Sequence, residues 1–373
     1  MMRRTLFPAL FAALLAAPRP VAAQADHWTA AVGAALEAYR FAQPEAAGIR
    51  TLSLVSAPFA ARGPVAGPVW LSVSGSYARG VLEQADGSKA TISGLTDSQL
   101  QLSAVVVPQL ASVSVIALLP TGTSELSLAQ AELAGAVAAD LLPFRVSHWG
   151  SGGALGVGTT IARNLGAVGV GASAAYVVGR SFDYLADQPF ALRPGNELQL
   201  RLAVDAAAGA SGKLGLQLLY QHNAEDEING QNLFRPGDRI QARGSYAFTA
   251  GGGSAAIVYG GILHRASGLF LGATAERSPD ENLAFGGAGL RAPVGRGVLA
   301  PTIDARLARR SDGLEQGYTV GVGSSLEWPL GAAGLRLVPS ARVRFGHLIV
   351  RQGQESGFSG IDLGLGLRFG GAE

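Results

Sequence analysis

Cysteine is absent from this 373-residue chain, lysine occurs only at Lys89 and Lys213, and charged side chains make up just 15% of it. Without cysteine there is no disulfide framework, no thiol nucleophile and no thiolate metal site. Beyond residue 23 no run reaches 18 consecutive apolar residues, so no segment reads as a membrane-crossing helix. No G-x-S-x-G elbow occurs, and the stretch 150–153 (Gly-Ser-Gly-Gly) lacks the lysine of a phosphate loop. The five histidines (His27, His148, His222, His264 and His347) show neither i,i+4 pairing nor metal-ligand spacing. The acidic run 225–227, near Asn229 and Asp238, reads as a solvated loop ahead of a weak Ca²⁺ site. The sequence therefore carries no enzyme signature and implies no cofactor.

Glycine is what the chain has in excess: 52 residues, about twice the usual share, in a sequence that is 48% apolar. There is no G-X-Y period, and glycine plus proline stay below the level of disordered low-complexity chains. An apolar, charge-poor chain of this kind suits either a packed core or a surface facing lipid.

Residues 1–23 read as a secretory signal peptide. Arg3 and Arg4 form a basic start, 6–17 an apolar stretch too short to span a bilayer, and Val21 and Ala23 fit the small-residue cleavage rule. This leader holds three arginines and no acid, so the remaining chain has 26 basic and 27 acidic residues. An exported chain of net charge −1 gives no reason to expect a nucleic-acid partner.

The recurrent pattern is period two. In 197–205, Leu198, Leu200, Leu202 and Val204 share one face, and Glu197, Gln199, Arg201, Ala203 and Asp205 the other. In 317–328 and 358–369 apolar residues again alternate with glycine, serine, threonine and occasional charges. Fourteen such segments lie between 69–82 and 358–369, joined alternately by tight turns rich in glycine and by longer polar loops. A soluble sandwich would coat its outer faces with lysine and glutamate. Here the polar faces are small, and Tyr318 and Trp328 bracket a membrane-length strand on its apolar face, as interfacial girdles do. The fold class expected is all-β: a transmembrane antiparallel up-and-down barrel of about 14 strands, within 12–16, spanning 67–373. Residues 24–66 lie outside the repeat. Trp28, Val32, Leu36 and Tyr39 recur at three or four, which predicts a helix over 26–41, serving either as a plug or as a periplasmic tail. The segment 268–277 is read as part of an outer hairpin.

Two further features bear on function. The long connection 120–150 contains a capping box, Ser127-x-x-Gln130, followed by Leu133, Val137 and Leu141 on one face. That predicts a loop helix packed on the rim or lining a site. The faces assigned to the lumen carry Arg201, Arg243, Arg306, Arg336, Arg342, Arg344 and Arg368, with Asp304, Glu327 and Asp362. Such charges either set ion preference in a pore or pair across strands and fill it. Asp304 and Asp362 fall on strands that are not neighbours, so a catalytic carboxylate pair is not expected.

The runs 93–103 (Ser-Gly-Leu-Thr-Asp-Ser-Gln-Leu-Gln-Leu-Ser), 118–122 (Leu-Leu-Pro-Thr-Gly) and 364–369 (Gly-Leu-Gly-Leu-Arg-Phe) resemble outer-membrane transport barrels. The nearest groups are the phenol-degradation meta-pathway family and the long-chain fatty-acid transporter family. The Asn-Pro-Ala signature of the second group is absent near the N-terminus. The resemblance implies passive uptake of small hydrophobic or aromatic compounds through the outer membrane of a Gram-negative-type cell. It also implies contact with outer-membrane lipid, and delivery to the barrel-assembly machinery through a last strand ending in Phe369. The alternatives are a barrel hydrolase for lipid or peptide, or a structural or adhesive barrel with a closed lumen.

Overall fold

Period-two segments with one apolar face cannot leave their backbone amides unpaired beside an apolar surround, and a closed ring of strands satisfies all of them. The computed structural model describes residues 27–209, 211–271, 276–314, 316–331, 334–351 and 354–370, so the proposed leader lies outside the described residues. The first strand, β1 (Thr29–Phe41), is followed by a single helical turn, α1 (Pro44–Ala47), and by β2 (Ile49–Ala66) and β3 (Val69–Gln84). Next come β4 (Lys89–Leu95), β5 (Ser98–Val107), β6 (Ala111–Leu119), the helix α2 (Leu128–Val137), β7 (Ala154–Leu165) and β8 (Val168–Gly179). Short β9 (Phe182–Asp183) and β10 (Ala191–Arg193) precede β11 (Glu197–Ala208) and β12 (Gly212–Asn223). In the same way β13 (Asp226–Ile228) and β14 (Gln231–Arg235) precede β15 (Arg239–Gly251) and β16 (Ser254–Arg265). Short β17 (Leu269–Phe270) and β18 (Glu276–Arg277) precede β19 (Glu281–Val294). The strands β20 (Gly297–Arg310), β21 (Gln316–Leu330), β22 (Leu335–Arg351) and β23 (Gln354–Phe369) complete the wall.

Sixteen of these strands form a closed antiparallel barrel, and β4 stands outside it. The seam is β1 against β23, in register from Ala30 opposite Phe369 to Phe41 opposite Phe358. Both ends of the wall therefore sit on the side of the tight turns. The strand count differs from the expected 14 because the described part of the segment, 27–66, forms β1 and β2 of the wall instead of the expected helix and plug or tail. The misreading has a physical cause. Along β1 the outward side chains are Ala30, Val32, Ala34, Leu36 and Ala38, while the inward ones include Ala35, Tyr39 and Phe41. Both faces are apolar and alanine-rich, so the alternation that marks a strand is lost.

The outer surface is an apolar belt. Leu202 and Leu216 are 56% and 51% exposed, and the even members of 198–204 all face out. Trp328 and Phe369 stand toward the turn side and Tyr318 toward the loop side, each on the outer face. Such aromatics suit the two polar–apolar boundaries of a bilayer.

On the loop side, β4 and β5 run in one direction along β3. Tyr77 to Glu83 of β3 pair with β4, and Val69 to Ser74 with β5. The break between them falls at Thr96 and Asp97. The edge of β4 left open is covered by α2, where the Gln130 side-chain amide donates to the Thr91 carbonyl at 2.9 Å. Beyond the wall, the loops 180–196, 224–238 and 266–280 build a second, six-stranded sheet from β9, β10, β13, β14, β17 and β18. The segment 268–277 contributes the β17–β18 pair to this sheet.

Candidate functional site

In the connection between β6 and β7, α2 packs on the loop-side ends of β2 and β3 and on β4. The stretch after α2 turns into the barrel, where Asp140 and Arg145 meet the wall strands. α2 starts as the sequence predicts: Ser127 Oγ accepts from the Gln130 backbone N–H, and Gln130 Oε1 accepts from the Ser127 N–H. Leu133 and Val137 are buried in one cluster with Leu52, Leu54 and Leu82 of the wall strands β2 and β3 and with Ile92 of β4. Leu141 is also buried, but it lies past the end of the helix, which stops at Val137. The indole N–H of Trp149 donates to the Ala78 carbonyl at 3.1 Å. Each fully buried leucine of this kind contributes about 1.5–3 kcal/mol.

Two carboxylates fix this inner loop. Asp97, buried at the β4–β5 break, accepts from the Gly122 N–H at 3.0 Å and from the Ser151 N–H and hydroxyl, both at 2.7 Å. It thus holds both roots of the loop. Next to it, Thr121 Oγ1 donates to the Thr96 carbonyl and accepts from the Ser98 N–H, each at 2.9 Å. The runs 93–103 and 118–122, which carried the resemblance to transport barrels, meet here. At the far end of α2, Asp140 reaches the opposite wall. Its carboxylate lies 3.6 Å from Arg239 on β15 and 3.7 Å from Arg265 on β16, and Arg306 on β20 donates to its carbonyl at 2.8 Å. Arg145 returns the loop to β1, with its N–H donating to Glu37 at 3.0 Å.

The inner loop therefore crosses the lumen from one wall to the other. A cavity of about 750 Å³ lies beside it, lined on one side by Val137, Leu142 and Phe144 of the loop and elsewhere by wall residues. Arginines dominate its charge: Arg145, Arg239, Arg306, Arg342, Arg344 and Arg368, against Glu37, Asp140 and Asp362.

The wall charges named from the sequence fall into two clusters. Arg344 sits between two carboxylates, with Nη1 2.8 Å from Asp304 and Nε 2.7 Å from Asp362, while Arg342 lies 2.9 Å from Asp304. Asp304 and Asp362 are on strands that are not neighbours, as expected, yet one arginine joins them. It crosses β21 at Gly321, where an added Cβ would lie 2.8 Å from Arg344 Nη1 and 3.1 Å from Asp304 Oδ1. Near the turn side, Glu327 is shared by Arg291 at 3.0 Å, Arg368 at 3.4 Å and Arg336 at 3.5 Å. Of the other three, Arg306 donates to the Asp140 carbonyl and two stand elsewhere on the wall. Arg201 donates to Gln199, and Arg243 lies 5.5 Å from the ring centre of Tyr259. Gly321→Val places methyl groups in the path of Arg344. The expected result is a loss of about 3–5 kcal/mol, the cost of separating a buried ion pair, read as a lower urea midpoint for unfolding in detergent. Gly321→Ala, which displaces only the end of a flexible side chain, is expected to cost much less.

The signal for Asp97, Asp140 and Arg145 was weak in the sequence, since they lie in aperiodic segments. His148, within the inner loop, has the Ser147 hydroxyl 3.3 Å from its Nδ1. His222 Nδ1 lies 2.8 Å from Asp238, but the other oxygen of that carboxylate accepts from the Tyr220 phenol rather than from a serine.

Each acid of the run 225–227 is engaged structurally: Glu225 with Asn232, Asp226 with the Gly195 N–H and Glu227 with Arg193. Asp226 is 3% exposed, and burial pushes its carboxyl up to about 6, against the Gly195 hydrogen bond that lowers it. A raised folded value means that the folded loop sheet favours the proton. Its stability is greatest below the ordinary carboxylate range, near pH 4, and declines as the pH rises through about 6. Amide exchange over 191–196 and 226–235, corrected for the intrinsic rate, is expected to speed up across that window. Asp226→Asn is expected to flatten the response, and an unchanged pH profile in that variant would exclude Asp226 as its source.

No protein-family model matches the chain, and neither does any curated protein. Among solved structures, a mutant porin of Rhodopseudomonas blastica is similar at 13% identity and a TM-score of 0.39, covering 92% of this chain and 100% of its own. A loop-deleted form of OmpT, an outer membrane protein of Vibrio cholerae, is similar at 9% identity and a TM-score of 0.45, covering 92% of this chain and 98% of its own.

Proposed function

We propose that this chain is a passive outer-membrane channel for small organic compounds, with hydrophobic or aromatic ones among them. The observation that supports this most is the loop 120–153, held inside a closed barrel with an apolar outer belt and flanked by a cavity of about 750 Å³. Leu142 and Phe144 of the loop give an aromatic solute apolar contact in the chamber wall. Passage needs no cofactor: a solute enters between the loops, passes the inner loop at its Asp140 end and leaves on the turn side.

The rest of the reading follows from this one. Residues 1–23 serve as the export leader, and the final strand ending in Phe369 is what the barrel-assembly machinery receives. The outer belt meets outer-membrane lipid. The decisive experiment is single-channel recording of the purified full chain in planar bilayers, alongside solute uptake into liposomes. Discrete conductance steps with uptake of small solutes are expected. Neither conductance nor uptake would leave the closed structural barrel as the better reading.

A further inference from the structure

We infer that the chamber beside the inner loop is a binding stop for small organic anions, an aromatic carboxylate being the chemical class that matches its walls. This rests on the channel reading above and names its substrate class. Six charged side chains in the lining are arginines and three are acids. Behind the lining, Asp304 offsets part of the charge of Arg342 and Arg344, but Arg291 and Arg336, just outside it, add two further cations. Glu327 supplies a single negative charge to Arg291, Arg336 and Arg368, and the side chains of Arg291 and Arg368 remain 52% and 57% exposed. Arg306 donates to a backbone carbonyl of Asp140, a neutral acceptor. By contrast Arg344 is committed to two carboxylates, so it serves as a fixed part of the wall.

A guanidinium that keeps donors free presents a planar fork to a carboxylate, and a low-dielectric wall strengthens the attraction. Arg368 and Arg145 border the same cavity as Phe144, Pro58 and Leu142. A solute with a carboxylate at one end and a ring at the other engages both kinds of surface. A neutral aromatic engages one, and an aromatic ammonium meets net repulsion.

The test uses the full chain in detergent and in planar bilayers, with benzoate, benzyl alcohol and benzylammonium as probes. Calorimetry is expected to show benzoate binding at least about tenfold tighter than benzylammonium, with benzyl alcohol between them. In bilayers, a salt gradient is expected to give a reversal potential of the sign for chloride over potassium, and benzoate is expected to reduce the chloride current saturably. The double variant Arg291→Gln, Arg368→Gln is expected to lose most of the benzoate preference while the barrel stays folded, as judged by its heat-dependent shift on gels. Benzoate binding without any conductance would keep the anion site and overturn the channel reading. Conductance with equal binding of benzoate and benzylammonium, or a preference for potassium, would overturn the anion site and leave the channel reading standing.

Discussion

Asp140→Ala is expected to raise single-channel conductance and to shift ion preference further toward anions. The Asp140 carboxylate holds the far end of the inner loop against Arg239 and Arg265, on two neighbouring strands of the opposite wall. Both distances are near the limit of a direct ion pair and Asp140 is about one-third exposed, so solvent screens the attraction. A combined loss of about 2 kcal/mol is the scale to expect, which raises the population of the released loop about thirtyfold. The hydrogen bond from Arg306 to the Asp140 carbonyl does not depend on the side chain and persists. With its backbone still held at Asp140 by Arg306, the loop should loosen around that point without leaving the barrel, and the recordings should show larger, noisier steps. The charge change acts in the same direction, since it removes one of the three acids lining the chamber. Asp140→Asn separates the two effects: it keeps a shorter polar contact while removing the charge. Conductance and selectivity unchanged in both variants would show that the Asp140 end of the loop does not limit passage.

Asp97→Ala is expected to free the roots of the same loop and to have the larger effect on stability. Two backbone N–H groups and one hydroxyl, from Gly122 and Ser151, lose their acceptor in a buried position. Each such orphan costs about 1–3 kcal/mol, and bonds to a charged acceptor lie at the upper end. No small substitution at Gly122 can compensate, because an added Cβ there would lie 2.0 Å from the Trp149 carbonyl. Asp97→Asn should be nearly as damaging, since its amide nitrogen would face donors in place of an acceptor. The wall strands do not depend on Asp97, so the barrel is expected to survive with a mobile interior. A broad-specificity protease should cut the variant within 120–153 while leaving the wall intact. Cleavage no faster than in the parent chain would show that burial of Leu133 and Trp149 holds the loop without the carboxylate.

The fourteen segments from 69–82 to 358–369 were legible because each pairs an apolar outer face with an inner face of small or polar residues. β11 and β23 show this most clearly. β1 and β2 were not legible, and the reason is the inner loop itself. Where it packs on the wall, inward residues such as Tyr39, Leu52 and Leu54 become apolar, and the contrast between faces disappears. Pro58 and Pro64 in β2 weaken the strand signal further. The lumen arginines could be placed by parity alone, but their partners could not. Arg344 meets Asp304 across an intervening strand, a contact set by barrel register and by the missing side chain at Gly321. Asp97 and Asp140 gave no periodic signal, since each acts from a break or a loop.

The β1–β23 seam also constrains the order of folding. It joins the first and last strands of the wall, Ala30 opposite Phe369, so the most distant pairing in the sequence is the one that closes the ring. Every other wall pairing is between strands close in the chain and can form as a growing curved sheet with two open edges. Until the seam forms, those edges at β1 and β23 expose unpaired backbone amides, and no partial sheet is self-contained. The seam is the wall pairing of greatest sequence separation, so it carries the largest loop-closure entropy of any pairing in the ring. A chain shortened by β23 alone would retain nearly all its local pairings and still have no closed state to reach.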